Sequence, residues 1–305
     1  MAISSIPTRV PKQCTNARTR TLDQFESRQE VLFALRDAIA GESYPPCLLF
    51  VYFIHFCSAH QVQWNATQVA HGNVSVDTIC IGDADSPGAR GFLINLEESS
   101  VRLSLPVYNL GLISFFQKPN GDPTFHSAAA ISRDMFPSSR ISPLDYFDDL
   151  ESFYYVLAYI CIAFTEPYTR HPNLPRSVSV WVTNPQSEKS ALAKRAIMSG
   201  SGIEYGHVQP YFGTFIFETL LEDLHTILKY RNEKRIAREF NSSSSVMKEM
   251  VRKESDEDYE DFLERLDWAI EVMDDFGNGQ FDEIDTQMTT FKVDREGDSR
   301  STSDT

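Results

Sequence analysis

The sequence lacks the cysteine pairing of a disulfide scaffold or a zinc site. Its five cysteines, Cys14, Cys47, Cys57, Cys80 and Cys161, are scattered and odd in number, with no CxxC among them. They read as buried thiols in a reducing compartment. Long hydrophobic runs are also missing. The longest, Cys47 to Cys57, is well short of the roughly 20 residues a membrane helix needs. The opening "MAISSIPTRVPKQC" has no apolar stretch of the kind a secretory signal requires, so the sequence reads as intracellular, cytoplasmic or nuclear. On that reading the N-x-S/T matches at Asn65, Asn73 and Asn241 carry no glycosylation. No basic stripe and no internal repeat occur, and an acidic chain argues against nucleic acid or an anionic membrane as partner.

What is present is enough for a packed core: 305 residues, 42% hydrophobic, with a net charge of −15, in one large or two small domains. The charge is concentrated. Between Glu254 and Asp285 fourteen acids face one base, Arg265, and the rest of the chain is close to neutral.

Periodicity assigns several helices. "SRQEVLFALRDAIAG" starts with Ser27 and Glu30 in capping-box spacing and puts Val31, Leu35, Ala38 and Ile39 on one face. "DDLESFYYVLAYICIAF", from Asp148 to Phe164, is apolar nearly all round after an acidic first turn, which suits a helix in the centre of a domain. Thr214 to Asn232 is amphipathic. "DYEDFLERLDWAIEVMDD" places Tyr259, Phe262, Leu266, Ala269, Ile270 and Met273 at helical spacing. "VSVDTICIG" and "RGFLINLE", separated by the turn "DADSPGAR", read as a β-hairpin. "NSSSS" (Asn241 to Ser245) is a linker, and "REGDSRSTSDT" is too polar to fold.

The order of these elements, a loop, a hairpin, a second loop and a buried helix beginning with Asp, resembles the C-lobe of a protein kinase. The strings "FESRQEVLFALRDAIAG", "AHGNVSVDTICIG" in place of HRDIS-x-N-IL, "RGFLINLE" in place of GFLID-[FL]-D, "DDLESFYYVLAYIC" and "DYEDFLERLDWAIE" together resemble the fungal-type protein kinase family. The likeness is best over Thr19 to Ile197. It implies a fold class: mainly α with a small β-hairpin, a kinase-like C-terminal lobe whose N-lobe is missing. No GxGxxG and no VAIK-like strand precede Ser27, and Lys12 reads as a surface lysine.

Carried over position by position, the resemblance implies lost chemistry. His71 matches the HRD histidine, Gly72 its Arg, and Asn73 the Asp that would accept the substrate hydroxyl's proton. An amide cannot act as that base, and losing a general base typically costs about 10²–10⁴-fold. Thr78 stands where an Asn would hold a second magnesium, and Asn95 where the DFG-equivalent Asp would be the main metal ligand. Asp149 matches the helix-start Asp that caps loop amides, with an ordinary helix N-terminal acid as the alternative. His71 is expected to pack and hydrogen-bond rather than catalyse. In "GDPTFHSAAAI", Ala129 stands where the resemblance expects a Glu that pairs with a distant Arg.

"ESYPPCLLFVYFIHFCSA" (Glu42 to Ala59) interrupts the family pattern. The codons for Gly41-Glu42-Ser43 can contain GTGAGT and those for Ser58-Ala59 an AG, so the segment reads as a retained intron in the gene model, or else as a genuine apolar insertion. The literal DFG at Asp275 to Gly277 lies after the central helix, the wrong side for a metal-binding motif. A partial EF-hand pattern at Asp274, Asn278, Gly279 and Asp282 is spoiled by Phe276 and Asp285.

The expected organisation is a tail (1–18), a kinase-like lobe (19–237, with 42–59 as the insertion), a linker (238–251), an acidic amphipathic helix region (252–285) and a second tail (286–305). The expected function is a degenerate kinase-like domain, a pseudokinase-like binding or scaffold module with proteins as partners and no cofactor. The alternative is a divergent or truncated Ser/Thr kinase using ATP and magnesium.

Overall fold

A computed structural model describes residues 20–40, 59–94, 122–135, 144–200, 202–213, 215–239 and 251–275. The described chain is mainly helical with small antiparallel sheets. Asn95, the greater part of the 42–59 segment, Lys12 and the DFG and EF-hand strings beyond Asp275 lie outside the described residues.

Strands β1 (Arg20–Thr21), β2 (Ile79–Ile81) and β3 (Gly91–Leu93) form an antiparallel sheet in the order β1-β2-β3, with Cys80 opposite both Thr21 and Phe92. The expected hairpin is therefore present as β2–β3. It gains a third strand that two residues were too few to announce. A second hairpin, β4 (Phe164–Glu166) with β5 (Thr169–Arg170), corrects the expectation of a single one.

Helix α1 (Arg28–Ala40) lies against this sheet with Val31, Leu35, Ala38 and Ile39 buried, as its spacing requires. Its start is only half a capping box. Ser27 Oγ accepts from the Glu30 amide at 3.1 Å, but the Glu30 carboxylate accepts from the Glu26 amide at 2.6 Å and pairs with Arg20. At Gly91 a β-carbon would sit 2.0 Å from the Ala34 carbonyl oxygen, so only glycine lets β3 approach α1 this closely. Asp37, fully buried in α1, accepts from the amides of Gly88 (2.9 Å) and Arg90 (3.0 Å) and from Arg90 Nε (2.9 Å). The Arg90 guanidinium lies 3.8 Å from the Phe33 ring centroid. One carboxylate thus pins the β2–β3 turn to the helix.

Helix α2 (His60–Thr67) precedes the loop, and α3 (Ala128–Met135) precedes α4 (Tyr146–Ala163). α4 begins two residues earlier than expected because Asp145, not Asp148, is the N-cap: its carboxylate accepts from the Phe147 amide at 3.0 Å, while Asp148 reaches back to the Asp145 amide at 3.1 Å. All 18 residues of α4 are buried, acids included, which is the all-round apolar pattern made real.

Around it pack α5 (Arg176–Thr183), α6 (Glu188–Ser199), α7 (Phe215–Glu239) and the helical residues 251–275, here α8. α7 continues past Asn232 to Glu239, two residues into the expected linker. Tyr259, Phe262, Leu266, Ala269, Ile270 and Met273 of α8 are all buried. Its acids do not all face water. Asp258 is 2% exposed and pairs with Arg231 of α7 at 2.6 Å, and Asp267 pairs with Arg36 of α1 at 2.8 Å. Two arginines of the near-neutral part of the chain therefore seat the acidic helix.

Candidate functional site

The site is the loop 71–78 between α2 and β2, held from behind by the first turn of α4. Asp149, 2% exposed, accepts from the His71 amide through Oδ2 (2.6 Å) and from the Gly72 amide through Oδ1 (2.8 Å). Gly72 is left-handed, φ 70°, so the chain can turn both amides onto one carboxylate. His60 Nε2 lies 2.8 Å from Asp149 Oδ2, and the Tyr259 hydroxyl 2.7 Å from His60 Nδ1.

A His60 tautomer protonated at Nε2 satisfies every member of this relay: the phenol donates to Nδ1 and Nε2–H donates to the carboxylate. Burial alone would push the Asp149 carboxyl up. His60 and the donated hydrogen bonds outweigh it and hold the group below the usual carboxylate range. Four segments, α2, the loop, α4 and α8, meet at this one anion.

His71 is buried, and burial lowers its imidazole to about 4, against the pull of Asp149. Nδ1 accepts from the Asn73 amide at 3.2 Å, and Nε2 points toward the Ile94 backbone without reaching a good hydrogen bond. Its neutral ring is a packing and positioning group. Thr78 is 3% exposed, and its hydroxyl donates to the Asn73 carbonyl (2.7 Å) and accepts from the Ser75 amide (2.9 Å). The Thr78 carbonyl accepts from Ile94 N at 2.9 Å, joining loop to β3. Asn73 Oδ1 is buried with no partner among the described residues.

The segment before α3 is tied down by groups that sequence reasoning missed. Lys194 of α6, fully buried, donates from Nζ to the Thr124 carbonyl at 2.8 Å and to the His126 carbonyl. Burial lowers its ammonium to about 7, opposed by Glu151. Glu151 accepts from the Ala128 amide (3.0 Å) and the Tyr155 hydroxyl (2.8 Å). Asp148 accepts from Ser127 Oγ (2.6 Å) and Arg235 Nη2 (3.1 Å). So an arginine does pair into this region, with Asp148 of α4 as its acid, and Lys194 and Glu151 hold the segment that carries Ala129. The small cleft among Gly72, Ser127, Ala130, Leu144, Asp148 and Ser152 has room for little more than a water molecule.

The other face of the loop differs. The Leu22 amide donates to Val76 O at 3.1 Å, setting Asp23 beside Asp77. Arg170 Nη2 pairs with Asp23 Oδ2 at 2.7 Å, and Asp122 Oδ1 accepts from the Thr124 amide at 2.9 Å. Burial, with Asp23 and Asp122 adding and Arg170 opposing, raises the Asp77 carboxyl.

Of the expected site residues, the structure brings His71, Asn73, Thr78 and Asp149 together. His60 and Tyr259 were missed because nothing local marks them; His60 meets Asp149 at a separation of 89 positions, and Tyr259 meets His60 at 199. No family model, curated protein or solved structure matches the chain. Chemically, none of the four positions offers a base: Asn73 is an amide, His71 is buried and weakly basic, and Asp149 is fully engaged. Thr78's hydroxyl is engaged within the loop by the Asn73 carbonyl and the Ser75 amide.

Proposed function

We propose that the chain is a degenerate protein kinase-like C-lobe, of the fungal-type resemblance, that works as a binding or scaffold module without phosphotransfer. The observation that carries this reading is the division of labour around the loop. The carboxylate of Asp149 grips the His71 and Gly72 amides, a contact that preserves loop shape, while Asn73 and Thr78 replace the groups that would move a proton and hold a metal. Thr78 supports the same view: its hydroxyl closes the loop onto the Asn73 carbonyl, a structural use of a position that in an active enzyme would face a cation. Proteins are the partners this reading implies.

The test is a thermal-shift titration of the full chain with ATP, with and without magnesium. The reading expects no saturable, magnesium-dependent rise in Tm. Such a rise, removed by Asn95→Ala, would return the chain to the class of divergent Ser/Thr kinases that use ATP.

A further inference from the structure

Helix α8 owes its shape to its seat. Between Val251 and Asp275 it carries eleven acids against three bases, and Asp256 with Glu260, Glu257 with Asp261, and Glu260 with Glu264 each set acid beside acid one turn apart. Like charges at that spacing oppose a helix, so the charges of α8 on their own work against its fold.

What holds it comes from other elements. Arg36 of α1 pairs with Asp267 at 2.8 Å, Arg231 of α7 pairs with Asp258 at 2.6 Å, and the Tyr146 hydroxyl of α4 donates to Asp258 Oδ2 at 2.7 Å. On the rim these pairs are open to water: the Asp267 side chain is 44% exposed, and that of Asp261, 3.4 Å from Arg231, is 50% exposed. Open ion pairs contribute little. The apolar stripe from Tyr259 to Met273 therefore supplies most of the hold, and a charge placed in that stripe would release the helix.

The contact with α2 is of a different kind. The Tyr259 hydroxyl donates to His60 Nδ1, His60 Nε2 reaches Asp149, and Asp149 holds the His71 and Gly72 amides. Tyr259 and His60 are both buried, and their rings lie 5.7 Å apart. Without the phenol, nothing in this relay fixes the imidazole in the tautomer that donates to Asp149, and a weakened donor on Asp149 weakens its grip on the loop. The position of α8 thus reaches the loop through three side chains.

We propose that α8 is a releasable brace that sets the shape of the 71–78 loop. Docked, it locks the loop through Tyr259, His60 and Asp149; released, it leaves the loop held by Asp149 without the relay. Local opening of one helix then changes the loop while the rest of the fold stays closed. The inference needs only the relay, and it stands or falls independently of the kinase-like reading.

The experiment follows hydrogen exchange of individual amides by NMR in the full chain. Ala269→Asp, at a fully buried position of the stripe, should speed exchange of the 259–273 amides and of the His71 and Gly72 amides together, by about tenfold or more, while α6 keeps the protection of the parent. Tyr259→Phe should speed the two loop amides and leave α8 protected. In the Tyr259→Phe background, Ala269→Asp should add less than about twofold at the loop, because the two changes act through one path. If Ala269→Asp also opens α6, the same joint but smaller gain is required of Asp267→Asn, which removes only the rim pair with Arg36. Loop amides that exchange at the parent's rate while α8 opens, or that ignore Tyr259→Phe, overturn the proposal. Full additivity of the two variants at the loop overturns it as well.

Discussion

The two sides of the 71–78 loop are built in opposite ways. Behind it, Asp149 is out of water and meets two amides and an imidazole, and that imidazole meets a phenol. In front, exposed Asp77 and half-buried Asp122 have one amide between them among the described residues. Buried charge persists in a fold only when it is fully partnered, so the back is what the structure needs. Charge in front, which meets few partners among the described residues, is tolerated because water can solvate it.

The largest effect should come from breaking the back. Asp149→Ala strands two loop amides and His60, and removal of one member of a buried ionic set costs about 3–5 kcal/mol; urea denaturation should show the loss, with the 71–78 amides exchanging early by hydrogen exchange. An unchanged midpoint would mean that the relay is decorative.

Next comes acid. The folded chain binds a proton at His71 less readily than an unfolded chain does, since burial lowers the ring from 6.5 to about 4. Its contribution is therefore intact above about pH 6.5, declines as the pH falls, and is gone by about pH 4, a total of about 3 kcal/mol by linkage. Asp145 and Asp258, both raised to about 6 by burial, act in the opposite sense: their stabilisation is present in acid and is lost as the pH rises through about 6. The difference between the parent and His71→Gln over this range isolates the imidazole, and an NMR titration of the ring should find it neutral down to about pH 4.

Tyr259→Phe should cost less, about 1–3 kcal/mol, because it leaves only the His60 Nδ1 acceptor unpaired. The smallest effect belongs to the front. Asp77→Asn with Asp122→Asn should move stability by less than about 0.5 kcal/mol. If the front variants destabilised the chain as much as Asp149→Ala, the contrast between the two faces would collapse.

The same contrast explains what could be read from the sequence. α1, α4 and α8 announced themselves because each repeats apolar residues along one local stretch, and the buried set of α8 is the set its spacing names. Asp149 was singled out through a family resemblance, and its contacts with the loop amides have the geometry expected of a brace. His60 and Tyr259 carry no such mark, because their meeting at Asp149 is made by three helices distant in sequence. Lys194 looks like any surface lysine of an amphipathic helix until α5 and the 124–126 segment close over it. Two-residue strands such as β1 lie below any pattern's reach, since pairing with β2 rather than side-chain alternation defines them. The front of the loop was equally hidden: Asp23 and Asp77 come side by side only when the Leu22 amide meets the Val76 carbonyl.

The most direct test of the central claim is a single-turnover incubation of the full chain with [γ-³²P]ATP and magnesium, with a serine-containing peptide as acceptor. A loop retained for shape predicts label on neither the chain nor the peptide above that seen with Asp149→Ala. Magnesium-dependent label on the peptide, lost on replacing Asn73 or Asn95 by Ala, would contradict it.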